Sequence, residues 1–173
     1  MFLVWYLLIL GVGFMALENM LYKNQSISEP LGYYLSLPMV SYGRGDLVMI
    51  CVNREPYKSI LNQLGLKDVN GQCASGLSYL IKRISAVKGD AIEVTDDGIL
   101  INGLLQPNSH LYAEGRGIRF YPLVTGYKHV LEEGEYFMLG NSLHSFDSRY
   151  FGIIQKADIY RRAILVKEVK GKK

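Results

Sequence analysis

The chain has 173 residues, of which 49% are hydrophobic and 20% are charged. This length suits one domain with an appendage and is enough to bury a core, and the apolar composition excludes a disordered chain. The net charge of +3, from 19 basic and 16 acidic residues, is far from the dense basic surface of a nucleic-acid-binding protein. Nucleic acid is therefore excluded as the expected partner.

The first predicted element is the apolar N-terminal run, residues 1–17, which contains no charged side chain. As a helix it would extend about 26 Å, a little less than the roughly 30 Å hydrocarbon core of a bilayer, so residues 18–22 would complete the crossing at the interface. No basic residue precedes Lys23 and no small-x-small site ends the run, which disfavours a cleavable signal peptide. We therefore expect residues 1–22 to form an uncleaved single-pass anchor in a lipid bilayer. A cleaved signal peptide and a buried core helix are the alternatives.

Residues 23–173 are predicted to form one mainly β domain. Short runs rich in Val, Ile, Tyr and Leu alternate with Gly, Asp and Asn, which is the pattern of strands and tight turns. The predicted strands cover residues 46–52, 79–87, 91–94, 99–101, 104–105, 135–139 and 163–166, those between 79 and 105 forming one meander. Residues 53–78 interrupt the strands as a predicted excursion with a helix over 57–64.

The two cysteines, Cys51 and Cys73, bracket this excursion. They are too far apart for a CxxC redox pair and too few for a four-ligand zinc site, which leaves one disulfide open. His110, His129 and His144 have no metal-binding spacing, so neither a metal nor another cofactor is expected. A Ser-His-Asp triad has no Gly-x-Ser-x-Gly elbow to support it.

The strand at 79–87 carries a lysine where a core residue is expected. Alternation places Lys82 on the same face as Leu80 and Ile84. Burial lowers the pKa of a lysine, and a neutral amine beside a serine hydroxyl is a competent general base near neutral pH. The alternative is an edge strand from which Lys82 extends its ammonium into water, and the strand alone does not decide between them.

A serine that could pair with this lysine follows the predicted anchor, in Ser28-Glu29-Pro30-Leu31-Gly32-Tyr33-Tyr34. Composition alone describes a linker loop, in which the proline and the glycine restrict the backbone near the hydroxyl.

Three segments, in this order along the chain, resemble the membrane-anchored Ser/Lys peptidases, which include the type I (leader) signal peptidases and the TraF-type conjugative-transfer peptidases. Residues 28–34 resemble the nucleophile box, and residues 79–84 with 88–94 resemble the lysine box and its following hairpin. The most specific segment, 138–152, contains Ser-Phe-Asp-Ser-Arg-Tyr-Phe-Gly. The resemblance implies a mainly β, signal-peptidase-like (LexA-like) fold with an N-terminal transmembrane helix and a short helical insertion.

The resemblance also implies roles for individual residues. Ser28 matches the nucleophile and Lys82 the general base. Ser26 stands where signal peptidases place a hydroxyl that helps to bind the oxyanion, and Ser145 matches the serine that orients the lysine ammonium.

Three further positions match supporting residues. Gly140 matches the glycine beside the lysine box. Asp147 and Arg149, two apart on an extended segment, resemble an ion pair for which structural support is expected, a role of Asp147 in activity being the alternative.

Departures from the leader-peptidase pattern favour the TraF-type branch. Ser28 lies two residues before Pro30, whereas leader peptidases have three, and Asn141 replaces the aspartate of their Gly-Asp-Asn motif. The positions of Cys51 and Cys73 also resemble the TraF-type arrangement, which implies a disulfide in an oxidising compartment.

This branch implies removal of a C-terminal peptide from a membrane-tethered conjugative propilin through an acyl-enzyme, with transfer of the acyl group to the propilin's N-terminal amine to give a cyclic pilin. It also implies the bacterial inner membrane, a catalytic domain in the periplasm, and the type IV secretion or conjugation machinery as a partner. A leader peptidase that removes N-terminal signal peptides from preproteins and a non-catalytic pilus-assembly scaffold are the alternatives. The predicted anchor and the absence of a DNA-binding segment disfavour a soluble LexA-like self-cleaving switch.

Overall fold

A computed structural model describes residues 20–24, 26–66 and 73–169. The anchor predicted over residues 1–22 lies almost wholly outside them, and the first strand already begins at Leu21. Within the described ranges, no helix has the length and apolar character needed to cross a bilayer.

The described chain is mainly β, as predicted. In chain order its strands are β1 (Leu21–Asn24), β2 (Gly32–Leu37), β3 (Leu47–Ile50), β4 (Leu80–Ala86), β5 (Ala91–Thr95), β6 (Gly98–Ile101), β7 (Leu104–Leu105), β8 (Glu114–Gly115), β9 (Ile118–Arg119), β10 (Lys128–Val130), β11 (Glu135–Leu139), β12 (Ile154–Gln155) and β13 (Ile159–Glu168). It also contains helix α1 (Tyr57–Gln63), helix α2 (Ser148–Phe151) and a 3-10 turn over Lys156–Asp158.

The described strands form two sheets and a separate hairpin. The larger sheet has the order β1-β2-β13-β3-β4-β11-β12, with every neighbouring pair antiparallel. The smaller sheet has the order β10-β5-β6-β7, and β8 pairs with β9. Strand β13, near the end of the chain, lies between β2 and β3. It thereby joins the β1–β2 hairpin to the rest of the larger sheet.

The meander predicted over residues 79–105 is wrong at its first turn. Strand β4 pairs with β3 and β11, whereas β5 pairs with β6 and β10 in the other sheet. The turn between β4 and β5 is held by Asp90, whose carboxylate accepts a hydrogen bond from the Val87 N–H at 2.8 Å and pairs with Arg44 at 2.6 Å. These contacts direct the chain into the second sheet.

Two apolar clusters share strand β11. Met138 packs into the cluster under the larger sheet, and its neighbours Phe137 and Leu139 pack into the cluster of the smaller sheet. This division follows from the alternation of side chains along a strand. Strand β11 therefore joins the two sheets, and its C-terminal end reaches the candidate site.

The excursion between β3 and β4 contains the predicted helix, observed as α1 one residue shorter than the predicted 57–64. Ile60 and Leu61 of this helix are buried in the larger cluster. Cys51 and Cys73 are joined by a disulfide with their Cα atoms 5.7 Å apart. The covalent link and the buried helix fasten the excursion to the sheet beside β4.

Candidate active site

The loop between β1 and β2 carries Ser26 and Ser28. The side chain of Asn24, the last residue of β1, is hydrogen-bonded to the backbone of this loop. Its Oδ1 accepts a hydrogen bond from the Ser26 N–H at 3.0 Å, and its Nδ2 donates to the carbonyls of Glu29 at 3.2 Å and Pro30 at 3.1 Å. Asn24 is 4% exposed. The sequence analysis missed this residue, although an Asx side chain that bonds to the backbone two residues later is a recognised turn signal.

Ser28 is buried at the turn of this loop. Its Oγ lies 3.1 Å from the Oγ of Ser26, and its N–H donates to the Ser26 Oγ at 3.4 Å. Its carbonyl accepts a hydrogen bond from the N–H of Asn141 at 2.9 Å, which ties the loop to the end of β11. The Ser26 hydroxyl and the Ser28 N–H thus lie together beside the Ser28 hydroxyl.

Lys82 is buried in the middle of β4, 1% exposed, on the same face as the buried Leu80 and Ile84. The predicted core position is therefore confirmed, and the alternative of a lysine that reaches water is wrong. Burial lowers the pKa of Lys82 to about 8, although the negative charges of Asp147 and Glu29 oppose this effect. A lysine with this pKa is partly neutral near pH 7 and can accept a proton.

The Lys82 Nζ donates a hydrogen bond of 2.9 Å to the Oγ of Ser145. Within the described residues, the Lys82 amine is hydrogen-bonded to Ser145, and the Ser28 hydroxyl is hydrogen-bonded to Ser26. Ser28, Lys82 and Ser145 all line one cavity. The structure thus brings the two predicted serines and the lysine to one place without a direct hydrogen bond between Ser28 and Lys82. Such bonds often tighten only when substrate is bound.

Asp147 and Arg149 form a fully buried ion pair at 2.8 Å. The guanidinium also donates to the carbonyl of Ser145 at 2.7 Å, and the Asp147 carboxylate accepts from the N–H of Gly140 at 3.0 Å. The segment was expected to be extended, but Asp147 caps the short helix α2, on which Arg149 lies, because its carboxylate accepts the Arg149 N–H at 3.2 Å. The pair therefore fastens the backbone on either side of Ser145 and fits structural support.

The cavity beside Ser28 has a volume of about 420 Å³. Its larger apolar side chains come from the excursion, from β4, from the residue after β9 and from the segment around α2, and are Leu64, Leu66, Leu80, Phe120, Phe146 and Tyr150. Glu114 and Arg116 of the β8–β9 hairpin add charged groups. The sequence analysis did not find this apolar lining, since its residues are distant in sequence and belong to no single motif.

The described part of the chain holds no group of three or more His, Cys, Asp or Glu side chains that could bind a metal ion.

This chain is similar to known proteins over most of its length. The model of a family described as signal peptidase, peptidase S26, matches residues 2–167. Two Escherichia coli proteins described as plasmid transfer protein TraF are similar to this chain: one is 30% identical over 154 residues, 88% of this chain and 84% of the relative, and the other is 37% identical over 139 residues, 79% and 76%. Signal peptidase I V of Bacillus subtilis strain 168 is 37% identical over 89 residues, 46% of this chain and 52% of that protein. Because the family match spans most of the chain and includes both Ser28 and Lys82, this protein belongs to the serine peptidases of the signal peptidase family, peptidase S26.

Proposed function

We propose that this protein is a membrane-bound serine endopeptidase of conjugative transfer, with Ser28 as nucleophile and Lys82 as general base. The observation that carries the proposal is the fully buried Lys82 amine, which lies on the wall of the same cavity as Ser28 and is held by Ser145 at 2.9 Å. A buried amine with a pKa of about 8 can act as a base without a histidine.

The proposed reaction has two stages. The Ser28 Oγ attacks the scissile carbonyl carbon while its proton passes to the neutral Lys82 Nζ, and the carbonyl oxygen becomes an oxyanion held by the Ser28 N–H and the Ser26 hydroxyl. The tetrahedral intermediate collapses to an ester on Ser28, and the leaving amine takes the proton from Lys82. An amine or a water then attacks the ester and loses its proton to Lys82. The second tetrahedral intermediate collapses as Lys82 returns this proton to the Ser28 Oγ, which regenerates the serine hydroxyl and the neutral lysine.

The substrate we propose is a membrane-tethered conjugative propilin, cleaved at its C-terminal segment. Support comes from the two relatives described as plasmid transfer proteins, each matched over more than three quarters of its length. Attack by the propilin's own N-terminal amine would give a cyclic pilin. An anchor formed by the apolar residues 1–17 would hold Ser28 near the inner membrane on the periplasmic side, where the substrate presents its bond at high local concentration.

A leader peptidase that removes N-terminal signal peptides is the second candidate. It is favoured by the similarity to signal peptidase I V of Bacillus subtilis, which extends over 46% of this chain. Both candidates use the same acyl-enzyme and differ in the substrate and in the group that accepts the acyl chain.

Intact mass spectrometry of a candidate propilin, coexpressed with the wild-type chain, Ser28→Ala or Lys82→Ala, tests the proposal. We expect a product one water lighter than the linear cleaved peptide with the wild type, and uncut precursor with both variants. A linear cleaved product would support the hydrolytic alternative. Maturation that persists in Ser28→Ala would overturn the assignment of the nucleophile, and a precursor left uncut by the wild type would overturn the propilin substrate.

A further inference from the structure

Glu29, the residue directly after the candidate nucleophile, has a completely buried carboxylate that the proposed reaction does not use. Its Oε2 receives hydrogen bonds from Arg83 at 3.4 Å and from the side-chain amide of Asn141 at 3.2 Å. Within the described residues its Oε1 has no hydrogen-bond partner. A buried carboxylate that is only half satisfied is costly, so its presence at this position calls for a function.

The partners of this carboxylate come from the two segments that face the nucleophile loop. Arg83 is the neighbour of Lys82 on β4, and Asn141 follows Gly140 at the end of β11. Asn141 also donates its backbone N–H to the carbonyl of Ser28 at 2.9 Å. The Glu29 carboxylate therefore connects the loop of Ser28 to the strand of Lys82 and to the turn that packs on Ser145.

The identity of residue 141 fits this connection. An asparagine amide donates a hydrogen bond to the buried Glu29 carboxylate, whereas an aspartate in its place would put a second negative charge about 3 Å from it. The asparagine at this position, a departure from the leader-peptidase motif, is thus matched to the glutamate after the serine.

Glu29 is also one of the charged groups that act electrostatically on Lys82. The loop contributes Glu29, and the segment around α2 contributes Asp147 and Arg149. Asp147 is neutralised by Arg149 through two hydrogen bonds of 2.8 Å, whereas Glu29 meets Arg83 only at 3.4 Å. Around Glu29 itself lie Arg83, Lys82 and the phenol of Tyr34 on β2.

We propose that Glu29 is a positioning residue of the candidate dyad: its buried carboxylate, held by Arg83 and Asn141, fixes the nucleophile loop against β4 and the Gly140 turn, and places a negative charge beside Lys82. The catalytic half of this inference rests on the proposed peptidase function. Burial raises the pKa of Glu29, while the positive charges of Arg83 and Lys82 act in the opposite direction and favour the ionised form.

The first test is Glu29→Gln in the full chain in detergent, with ¹⁵N-lysine labelling and Lys82→Ala to assign the Lys82 signal. Removal of the negative charge destabilises the ammonium, so we expect the Lys82 titration and the rising limb of kcat against pH to move down by about 0.5 to 1 pH unit. We expect the plateau value of kcat for precursor cleavage, reached above the Lys82 pKa, to fall at least about fivefold, with KM within about twofold, because the dyad geometry is disturbed and a less basic amine is a weaker proton acceptor. A Lys82 titration and kcat that both stay at the wild-type values would overturn the inference.

Glu133→Gln is the matched control, since Glu133 is exposed and pairs with Lys88 on the surface. Its titration and rate should equal those of the wild type, and a shift as large as that of Glu29→Gln would overturn the local role of Glu29. If the wild type leaves the precursor uncut, the proposed function fails, whereas the Lys82 titration still decides whether Glu29 acts on the lysine.

The second test exchanges the pair and does not depend on Glu29→Gln alone. Asn141→Asp should lower kcat at least about fivefold, because it adds a like charge beside Glu29. The double variant Glu29→Gln/Asn141→Asp restores an amide–carboxylate pair and should recover more than half of the loss. Additive losses in the double variant would show that the two side chains do not act as a pair, and would overturn the proposal.

Discussion

Gly140 and Ser145 pack so closely that a Cβ atom at position 140 would lie 2.7 Å from the Cβ of Ser145 and would overlap its Oγ. The same atom would lie 3.2 Å from the Cβ of Ser28. The absence of a side chain at position 140 therefore allows the two serines to approach each other across the end of β11.

Gly140→Ala is predicted to abolish most of the activity. The added methyl group displaces Ser145 or Ser28, and a displacement of about 1 Å near the reacting groups can reduce the rate about a hundredfold. The measurement is kcat for precursor cleavage, with Gly43→Ala as control because a Cβ there meets its nearest atom, of Asp46, at 3.9 Å. Equal rates for the two variants would contradict the role of Gly140.

Ser145→Ala is predicted to lower kcat by about ten- to a hundredfold with little change in KM. The Lys82 Nζ loses the acceptor that holds it at 2.9 Å, so the amine is no longer directed to the cavity. Ser36→Ala is a matched control, since Ser36 is also buried and its Oγ has no hydrogen-bond partner within the described residues. The prediction is wrong if Ser145→Ala cleaves as fast as Ser36→Ala.

The pH dependence of cleavage should report the proton on Lys82. The base is active when neutral, and burial lowers its pKa to about 8. We therefore expect kcat/KM to rise about tenfold per pH unit below pH 7 and to level off above about pH 8. Initial rates between pH 5.5 and about 9.5 measure this; a profile that is flat from about pH 6 to 8 would exclude Lys82 as the base.

Lys82→Met is predicted to stabilise the fold while it abolishes activity. The pKa of Lys82 is about 8 in the folded chain against 10.5 for an ordinary lysine, so the unfolded chain binds more protons between these pH values and the free energy of unfolding rises with pH across that window. Below about pH 8 the wild type carries the whole penalty of about 3 kcal/mol, which methionine lacks.

Thermal unfolding of the full chain in detergent at pH 7 measures this change, and we expect an increase of about 1 to 3 kcal/mol because the lost hydrogen bond to Ser145 offsets part of the gain. Lys88→Met, on the exposed side chain that pairs with Glu133, should leave the stability nearly unchanged. A lower free energy of unfolding for Lys82→Met than for the wild type would contradict the prediction.

Reduction of the Cys51–Cys73 disulfide is predicted to lower the free energy of unfolding by about 3 kcal/mol. The cross-link closes a loop with a sequence separation of 22, and its loss restores conformational freedom to the unfolded chain. Urea unfolding of the full chain with and without dithiothreitol measures the effect, and Cys51→Ser/Cys73→Ser should match the reduced protein. Free thiols in the protein isolated from cells would contradict the periplasmic placement.

Local patterns predicted the parts of the site that follow a strand or a short motif. Period-two alternation on β4 predicted that Lys82 lies among core residues, and its exposed fraction of 1% agrees. The resemblance carried by the segment around Ser145 also predicted that this hydroxyl lies near the lysine, and the two side chains are hydrogen-bonded at 2.9 Å. These predictions succeed because a side chain's face on a strand, or its place in a tight turn, depends on residues within a few positions.

Long-range relationships were not accessible to such patterns. The sequence did not indicate that β4 and β5 belong to different sheets, that Asn24 organises the nucleophile loop, or that Glu29 is buried between Arg83 and Asn141. In each case the decisive contact joins segments that only the tertiary structure brings together, or depends on burial that the neighbours in sequence do not set.

By itself, then, the sequence indicated the candidate chemical groups of this protein. They are a serine after an apolar segment, a lysine in a core position, and the serine, aspartate and arginine of the segment 140–149. Only the tertiary structure decided how these groups act on one another. The pKa of Lys82 depends on its burial in the core, and the Ser145 hydroxyl that holds its amine at 2.9 Å comes from a segment far away in the chain. Electrostatic interactions at such distances in a buried setting are strong enough to change a protonation state, and no property of the isolated segments contains them.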